Sequence, residues 1–310
     1  MIKTVNRFLV VAFALFAFFA CSKDDDIVQY DTAEDDTSVD TPNPFTTRWE
    51  TKTDNEAITI YANDAVTGYN YEIDWGDGNT ESNLTGDATH EYALAGVHTV
   101  IISGDFPAIY QEDETNAGKL VSIEQWGDME WESMEMAFAN CTNMTHGAND
   151  VPDLSKVTDM SNMFRSAASF NGNINNWDVS NVINMLAVFF FASAFNQDLS
   201  EWDVSNAMDM RWMFSNATAF DQDVGNWDVS KVTTMRSMFS EATSFNQDIG
   251  KWNVISVTSM QTMFFGATAF DQDLSDWEVD NVTECNNFAT GSAISLLHMP
   301  SNGSCVFVIF

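Results

Sequence analysis

Four aspartates recur at a fixed interval of 25 residues: Asp198, Asp223, Asp248 and Asp273. Each follows Asn196, Asp221, Asn246 or Asp271 by two positions, and the first unit carries Asn173 and Asn171 in these slots. Carboxylate and amide oxygens are the ligands that calcium takes. Stacked at about 4.8 Å, like charges would repel by about 1 kcal/mol in water and more near a protein surface. Three arrangements offset that repulsion: an internal ladder of hydrogen bonds from turn amides, calcium bridging between the four aspartates, or screening by solvent. The ladder is the simplest of the three.

Other chemistry is sparse. The histidines, His90, His98, His146 and His298, are scattered, and His90-Glu91 lacks a second histidine four residues on. With no H-E-x-x-H, no G-x-S-x-G and no phosphate loop, the chain is not expected to be an enzyme, and calcium is the only cofactor suggested. Sixteen methionines raise the question of copper, but their fixed places in a repeat point to core filling. A net charge of −34 excludes a basic face for nucleic acid. Cys285 and Cys305 close a 20-residue loop and could bridge in an oxidising setting, worth about 3 kcal/mol. Cys141 reads as a buried small residue.

These residues are placed by a tandem repeat. Trp177, Trp202, Trp227, Trp252 and Trp277 keep the 25-residue interval. So do Phe164, Phe189, Phe214, Phe239 and Phe264, and columns led by Met160, Ala167, Phe170, Ile174 and Val179. Within a unit, Val182, Met185, Phe189 and Ala192 are spaced by 3, 4 and 3, a helical stripe, with Asp178 or Ser180 as its N-cap. Phe195 to Trp202 reads as a short strand plus a turn. One such unit buries too little to fold alone, so stacking must supply the rest. The tryptophan column is either folded under the turn as core or an exposed stripe of rings that would stack on sugars or anchor proteins.

Ahead of the array the chain changes character. Lys3 and Arg7 precede an uncharged apolar run from Phe8 to Ala20, the pattern of a secretory signal over residues 1–20. Residues 21–46 are rich in Asp, Thr and Pro and read as an acidic, disordered tether. Residues 47–106 alternate as half-buried strands do, at Ile58, Ile60, Tyr69, Tyr71 and Ile73, with a tight-turn signal at Trp75-Gly76-Asp77-Gly78.

Several of these stretches resemble known families. Phe18-Phe19-Ala20-Cys21 resembles a bacterial lipobox, with phenylalanine in its first two positions; the resemblance implies a lipid on Cys21. Ser22-Lys23-Asp24-Asp25-Asp26 is similar to the acidic tag that directs lipoproteins of Bacteroidota to the outer face of the outer membrane. Tyr71 to Gly78, with His90, Tyr92 and Gly96 to Val100, resembles polycystic-kidney-disease-type (PKD) domains and implies a small immunoglobulin-like β-sandwich. The unit at 188–205 resembles the repeat of BspA-type leucine-rich-repeat surface proteins, also called the mycoplasma lipoprotein-associated repeat. The expected fold is therefore α+β: a leucine-rich-repeat-like solenoid of 25-residue strand–helix units over 134–288, preceded by the sandwich, with caps at 107–133 and 289–310. The expected function is a lipid-anchored cell-surface interaction protein or adhesin, contacting a protein or glycan on a host or neighbouring cell and touching the membrane through lipid only. The alternative is a surface carbohydrate-binding accessory protein.

Overall fold

The structure, a computed structural model, describes residues 42–307 apart from Glu112 and Ser304. The signal, Cys21 and most of the tether fall outside the described residues. Among the described residues the regular structure is β-strand, turn and isolated bridge, with very little helix. The two helical segments among the described residues, α1 (Glu114–Ala117) and a 3-10 turn at Leu296–His298, both lie outside the repeats.

Seven strands form two facing sheets: β1 (Phe45–Thr51), β2 (Glu56–Ala62), β3 (Asn70–Asp74), β4 (Thr80–Leu84), β5 (Ala88–Tyr92), β6 (Gly96–Asp105) and β7 (Ile109–Tyr110). Alternation sets their inner faces, as at Phe45, Thr47, Trp49 and Thr51 of β1, all buried. The turn after β3 is closed by Asp74, whose Oδ1 accepts the Gly76 N–H at 2.8 Å. Gly76 has φ +78, and a Cβ there would lie 2.3 Å from the Thr99 carbonyl oxygen, so only glycine fits. Sixty residues bury little by themselves, and this sheet does not end with them. β8 (Leu120–Gln125) pairs antiparallel with β1, and β9 (Thr145–His146) pairs parallel with β8. The larger sheet therefore runs β4-β3-β6-β1-β8-β9, and the smaller β5-β2-β7. Strand β1 already starts at Phe45, inside the expected tether, and the expected sandwich and cap share one sheet.

The repeats do not form the expected strand–helix units, and the leucine-rich-repeat-like α+β reading is corrected here. Each coil is a chain of turns. Within a coil, N–H groups reach back three residues, as Phe190 to Ala187, Ala192 to Phe189 and Phe195 to Ala192. Alternate N–H groups leave the coil. Those of Met185, Ala187, Phe189 and Phe191 donate to the carbonyls of Asp209, Arg211, Met213 and Ser215 at 2.8–2.9 Å. The same pattern joins every pair of coils from Met134 to Thr290. Two residues per coil are left-handed, four apart: Asn162 and Ser166, Ala187 and Phe191, Trp212 and Asn216, Ser237 and Glu241, Thr262 and Gly266. A right-handed helix cannot pass through them. The 3–4–3 apolar spacing thus reports a turn that closes every three residues. No strand forms over Phe195 to Trp202 either. The ladder is a single parallel bridge per coil, through Asp159, Asn184, Asp209, Thr234, Ser259 and Glu284. Asp178 caps no helix; its Oδ1 accepts the Ser180 N–H at 3.1 Å in a tight turn.

Side chains stack in register with the backbone. Phe164, Phe189, Phe214, Phe239 and Phe264 lie 5.4–5.8 Å apart, nearly parallel. Phe170, Phe195, Phe220, Phe245 and Phe270 form a second row at 5.8–6.0 Å. Each coil brings one ring of each row to within 3.9–4.1 Å. The indole N–H groups of Trp202, Trp227, Trp252 and Trp277 donate to the carbonyls of Ile174, Leu199, Val224 and Ile249 at 2.9–3.1 Å. These carbonyls also accept the backbone N–H of Trp177, Trp202, Trp227 and Trp252. Each of these four tryptophans thereby ties its coil to the one before. We expect Trp227→Phe, which keeps a ring but removes the bond, to lower the unfolding free energy by about 2 kcal/mol in urea titrations. No change would mean that the bond is dispensable.

An aromatic cluster joins sheet to array. Phe45 meets Trp131 edge-on at 5.1 Å, and Trp126 meets Trp177 at 5.2 Å. The Trp126 indole N–H donates to His146 Nε2 at 3.2 Å, which requires the neutral ring with its proton on Nδ1. Burial lowers the His146 pKa, against the opposing charge of Asp150. The unfolded histidine titrates near pH 6.5, so the folded form takes up its proton only at lower pH. The stabilisation is present above about pH 6.5 and is lost as pH falls through the folded value. Burial lowers the pKa of His98 as well. We expect stability to drop between pH 7 and 5, and to drop less in His146→Gln, which keeps an acceptor for Trp126. Equal slopes in the two chains would contradict this role.

Candidate interaction surface

The residues singled out by periodicity lie where they stabilise the stack. Trp177, Trp202, Trp227, Trp252 and Trp277 are only 1–5% exposed, so the exposed-stripe alternative is set aside. Phe189, Phe214, Phe239 and Phe264 are fully buried. Cys285 and Cys305 are bonded, with Cα atoms 6.1 Å apart, at the last coil. Cys141 is buried, and burial pushes its thiol far above the usual range.

The acidic column is a run of turns. Oδ1 of Asp198, Asp223, Asp248 and Asp273 accepts the N–H two residues on, from Ser200, Gly225, Gly250 and Ser275, at 2.9–3.0 Å. The hydroxyl and N–H of Ser275 hold the Asp273 carboxyl below its ordinary range. Asp203 and Asp228 are lowered in the same way by Ser205 and Ser230. Among the described residues no group of three or more His, Cys, Asp or Glu comes together to hold a metal. The neighbouring column forms the inter-coil ladder. Oδ1 of Asn171, Asn196, Asp221 and Asn246 accepts the backbone N–H of the residue 25 positions later, at 2.9–3.0 Å. The same oxygens accept the side-chain amide of Gln197, Gln222, Gln247 and Gln272. Aspartate never follows aspartate in this column, which spares it stacked charges. The final Asp271 faces His298 Nδ1 at 3.2 Å.

The surface that periodicity alone does not reveal lies where the columns break. Ile183 and Met208 stand where other coils have Thr158, Thr233, Thr258 and Thr283. They are 43% and 47% exposed and line a shallow groove of about 420 Å³ with Asn181, Asn206 and Lys231. On the same two coils Phe190 and Phe191 meet edge-on at 4.5 Å, and Phe191 is 47% exposed. Phe191 and Trp212 are both left-handed, at φ 59 and 56. Bulky side chains there cost of order 1 kcal/mol each. The fold does not require them, since Asn216, Gly266 and Gly291 take the Phe191 place, and Asn162 and Asn287 the Trp212 place. The three arginines of the array lie on these two coils or the coils next to them. Arg165 precedes Phe190 in its column, and its Nε is buried without a partner. Arg236 lies over the Trp212 ring at 5.5 Å. Arg211 pairs with Asp209. The sequence signal was a departure from the column; only the fold shows which departures face water.

A family model described as Mycoplasma protein of unknown function, DUF285, matches residues 132–235 and 204–295, together more than half of the chain. The chain belongs to this family. No curated protein and no solved structure matches it. The family match covers the coil array and leaves the two-sheet region outside it, so membership describes the repeat and not the whole chain.

Since the turn amides need only one oxygen of each aspartate, we expect Asp223→Asn to change stability by less than about 0.5 kcal/mol and Asp223→Ala to cost about 1 kcal/mol. A melt that rises with added calcium and loses that rise in Asp223→Asn would instead restore the calcium reading.

Proposed function

We propose that the protein is a cell-surface interaction protein that binds a partner protein through the exposed face of the two coils spanning 181–230. The observation that carries this reading is the pair of left-handed aromatics, Phe191 and Trp212, kept at a conformational cost on the coils that also expose Ile183 and Met208, with Arg236 over the Trp212 ring. Aromatic and arginine side chains are the residues that dominate protein interfaces. The partner is a segment bearing carboxylates between apolar side chains. Arg165 and Arg236 supply the complementary charge, and at physiological salt the chain's net −34 is screened beyond about 8 Å.

Cys21 carries the lipid in this reading. The lipobox-like Phe18 to Cys21, the acidic tag after it and the resemblance to BspA-type surface repeats support that placement. The resemblance of Tyr71 to Gly78 to PKD-type domains supports a stalk that presents the array. The carbohydrate-binding alternative drew on an exposed tryptophan row, and the burial of that row removes its support.

Peptide display against the chain tests the proposal. We expect selected peptides to be rich in Asp or Glu flanking Phe, Leu or Trp. We expect their binding to fall at least tenfold in a variant that restores residues found elsewhere in the columns, Ile183→Thr, Phe191→Asn, Met208→Thr and Trp212→Asn, with stability equal to or above that of the parent. Selection of basic peptides, or unchanged binding by the variant, would overturn it.

A further inference from the structure

A second candidate site lies away from the coil face, where the smaller sheet meets the start of the array. Tyr61 of β2 and Tyr110 of β7 are directly paired across the ladder, so their side chains leave the same face of the sheet. With Asn63, Asp64, Asp87 and Glu135 they line a cavity of about 340 Å³. Glu135 comes from the first coil, so neither the sheets nor the array alone completes the wall.

Asn63 carries the argument. It is only 4% exposed. Its backbone N–H donates to the Tyr69 hydroxyl at 2.8 Å, and its Oδ1 accepts the Ala65 N–H at 2.9 Å. The amide orientation is therefore fixed, and the atom left without a partner is the Nδ2 donor. A buried donor without an acceptor costs about 1–3 kcal/mol. The surrounding charge has one sign. Asp64, Asp87 and Glu135 form no ion pair among the described residues. Asp87 uses Oδ1 to accept the Ala62 N–H at 2.9 Å, leaving its second oxygen available. Burial, with the charges of Asp87 and Asp64 behind it, pushes the nearby Tyr69 hydroxyl up to about 12. The three carboxylates do not converge closely enough to hold a metal ion. Tyrosine faces attract organic cations, and dispersed carboxylates around them suit a cation larger than a bare ion.

We propose that this cavity binds a small organic ammonium whose neighbouring hydroxyl or carbonyl oxygen accepts from Asn63 Nδ2. Amino sugars and amino alcohols have this chemistry, the first from a glycan and the second from a lipid headgroup. The site is independent of the coil face and of the partner proposed for it.

Titration of the full chain with glucosamine, choline and glucose, followed by amide NMR, tests the assignment. We expect glucosamine or choline to shift the Asn63 side-chain amide with millimolar affinity, and glucose, which lacks the cation, to do nothing. A response to glucosamine alone identifies the glycan source, and a response to choline alone the headgroup. We expect Asp64→Asn and Glu135→Gln, which leave the buried amide intact, each to weaken binding at least fivefold. No shift with either amine at 20 mM, an equal response to glucose, or full binding by both variants would overturn the proposal.

Discussion

Every coil of this protein depends on the amides it sends out. Met185, Ala187, Phe189 and Phe191 find no acceptor in their own coil; their carbonyl partners belong to the next. Buried backbone groups must be paired, so a coil without a neighbour would leave four donors empty on one side and four acceptors on the other. This fixes the register of the bonded segment as well. Donor and acceptor lie 24 residues apart in the coil of Met185 and 25 in that of Met134, whose one extra residue falls outside the bonded segment and leaves all four bonds in place. It also accounts for the left-handed residues, which turn the chain so that successive N–H groups point alternately inward to a turn and outward along the stack.

The side chains reinforce the same direction. Indole N–H groups, asparagine and aspartate oxygens and glutamine amides all bond between coils, at distances of 2.8–3.1 Å. The phenylalanine rows add continuous aromatic contact beneath them. At the N-terminal side the stack is finished by continuation: β8 and β9 carry the first coil into the larger sheet through β1. At the other end, Leu274 N–H donates to the His298 carbonyl, and the Cys285–Cys305 bond holds the tail over the last coil. Stability is thus a property of neighbours, and both ends are covered by structure of another kind.

Much of this was legible in the sequence. The 25-residue interval marks the columns, and buried Phe, Met and Val at those positions follow from it, whereas the tryptophan column stayed open between core and an exposed stripe until the fold placed it inside. The strands from Ile58 to Ile101 were legible from alternation. The coil's interior was not. An apolar spacing of 3, 4 and 3 fits a helix and a run of three-residue turns equally well, and nothing about Ala187, Trp212 or Thr262 marks them as left-handed. Asn140, Asn162, Asn216, Gly266 and Gly291 were the available signal, because these residue types accept that conformation. The candidate face was hidden for a related reason. Ile183 and Met208 are as apolar as any core residue, and only the direction of each side chain separates a surface departure from a core one. The cavity beside Asn63 could not be read at all, since Tyr61, Tyr110 and Glu135 meet only through the fold.

Residue-resolved hydrogen exchange on the intact chain tests the central claim most directly. The amides of Met185, Ala187, Phe189 and Phe191, bonded only across the coil boundary, should be as protected as the β1–β6 ladder. Rapid exchange at those four, with slow exchange at Phe190, Ala192 and Phe195, would show each coil holding itself together and would contradict the account.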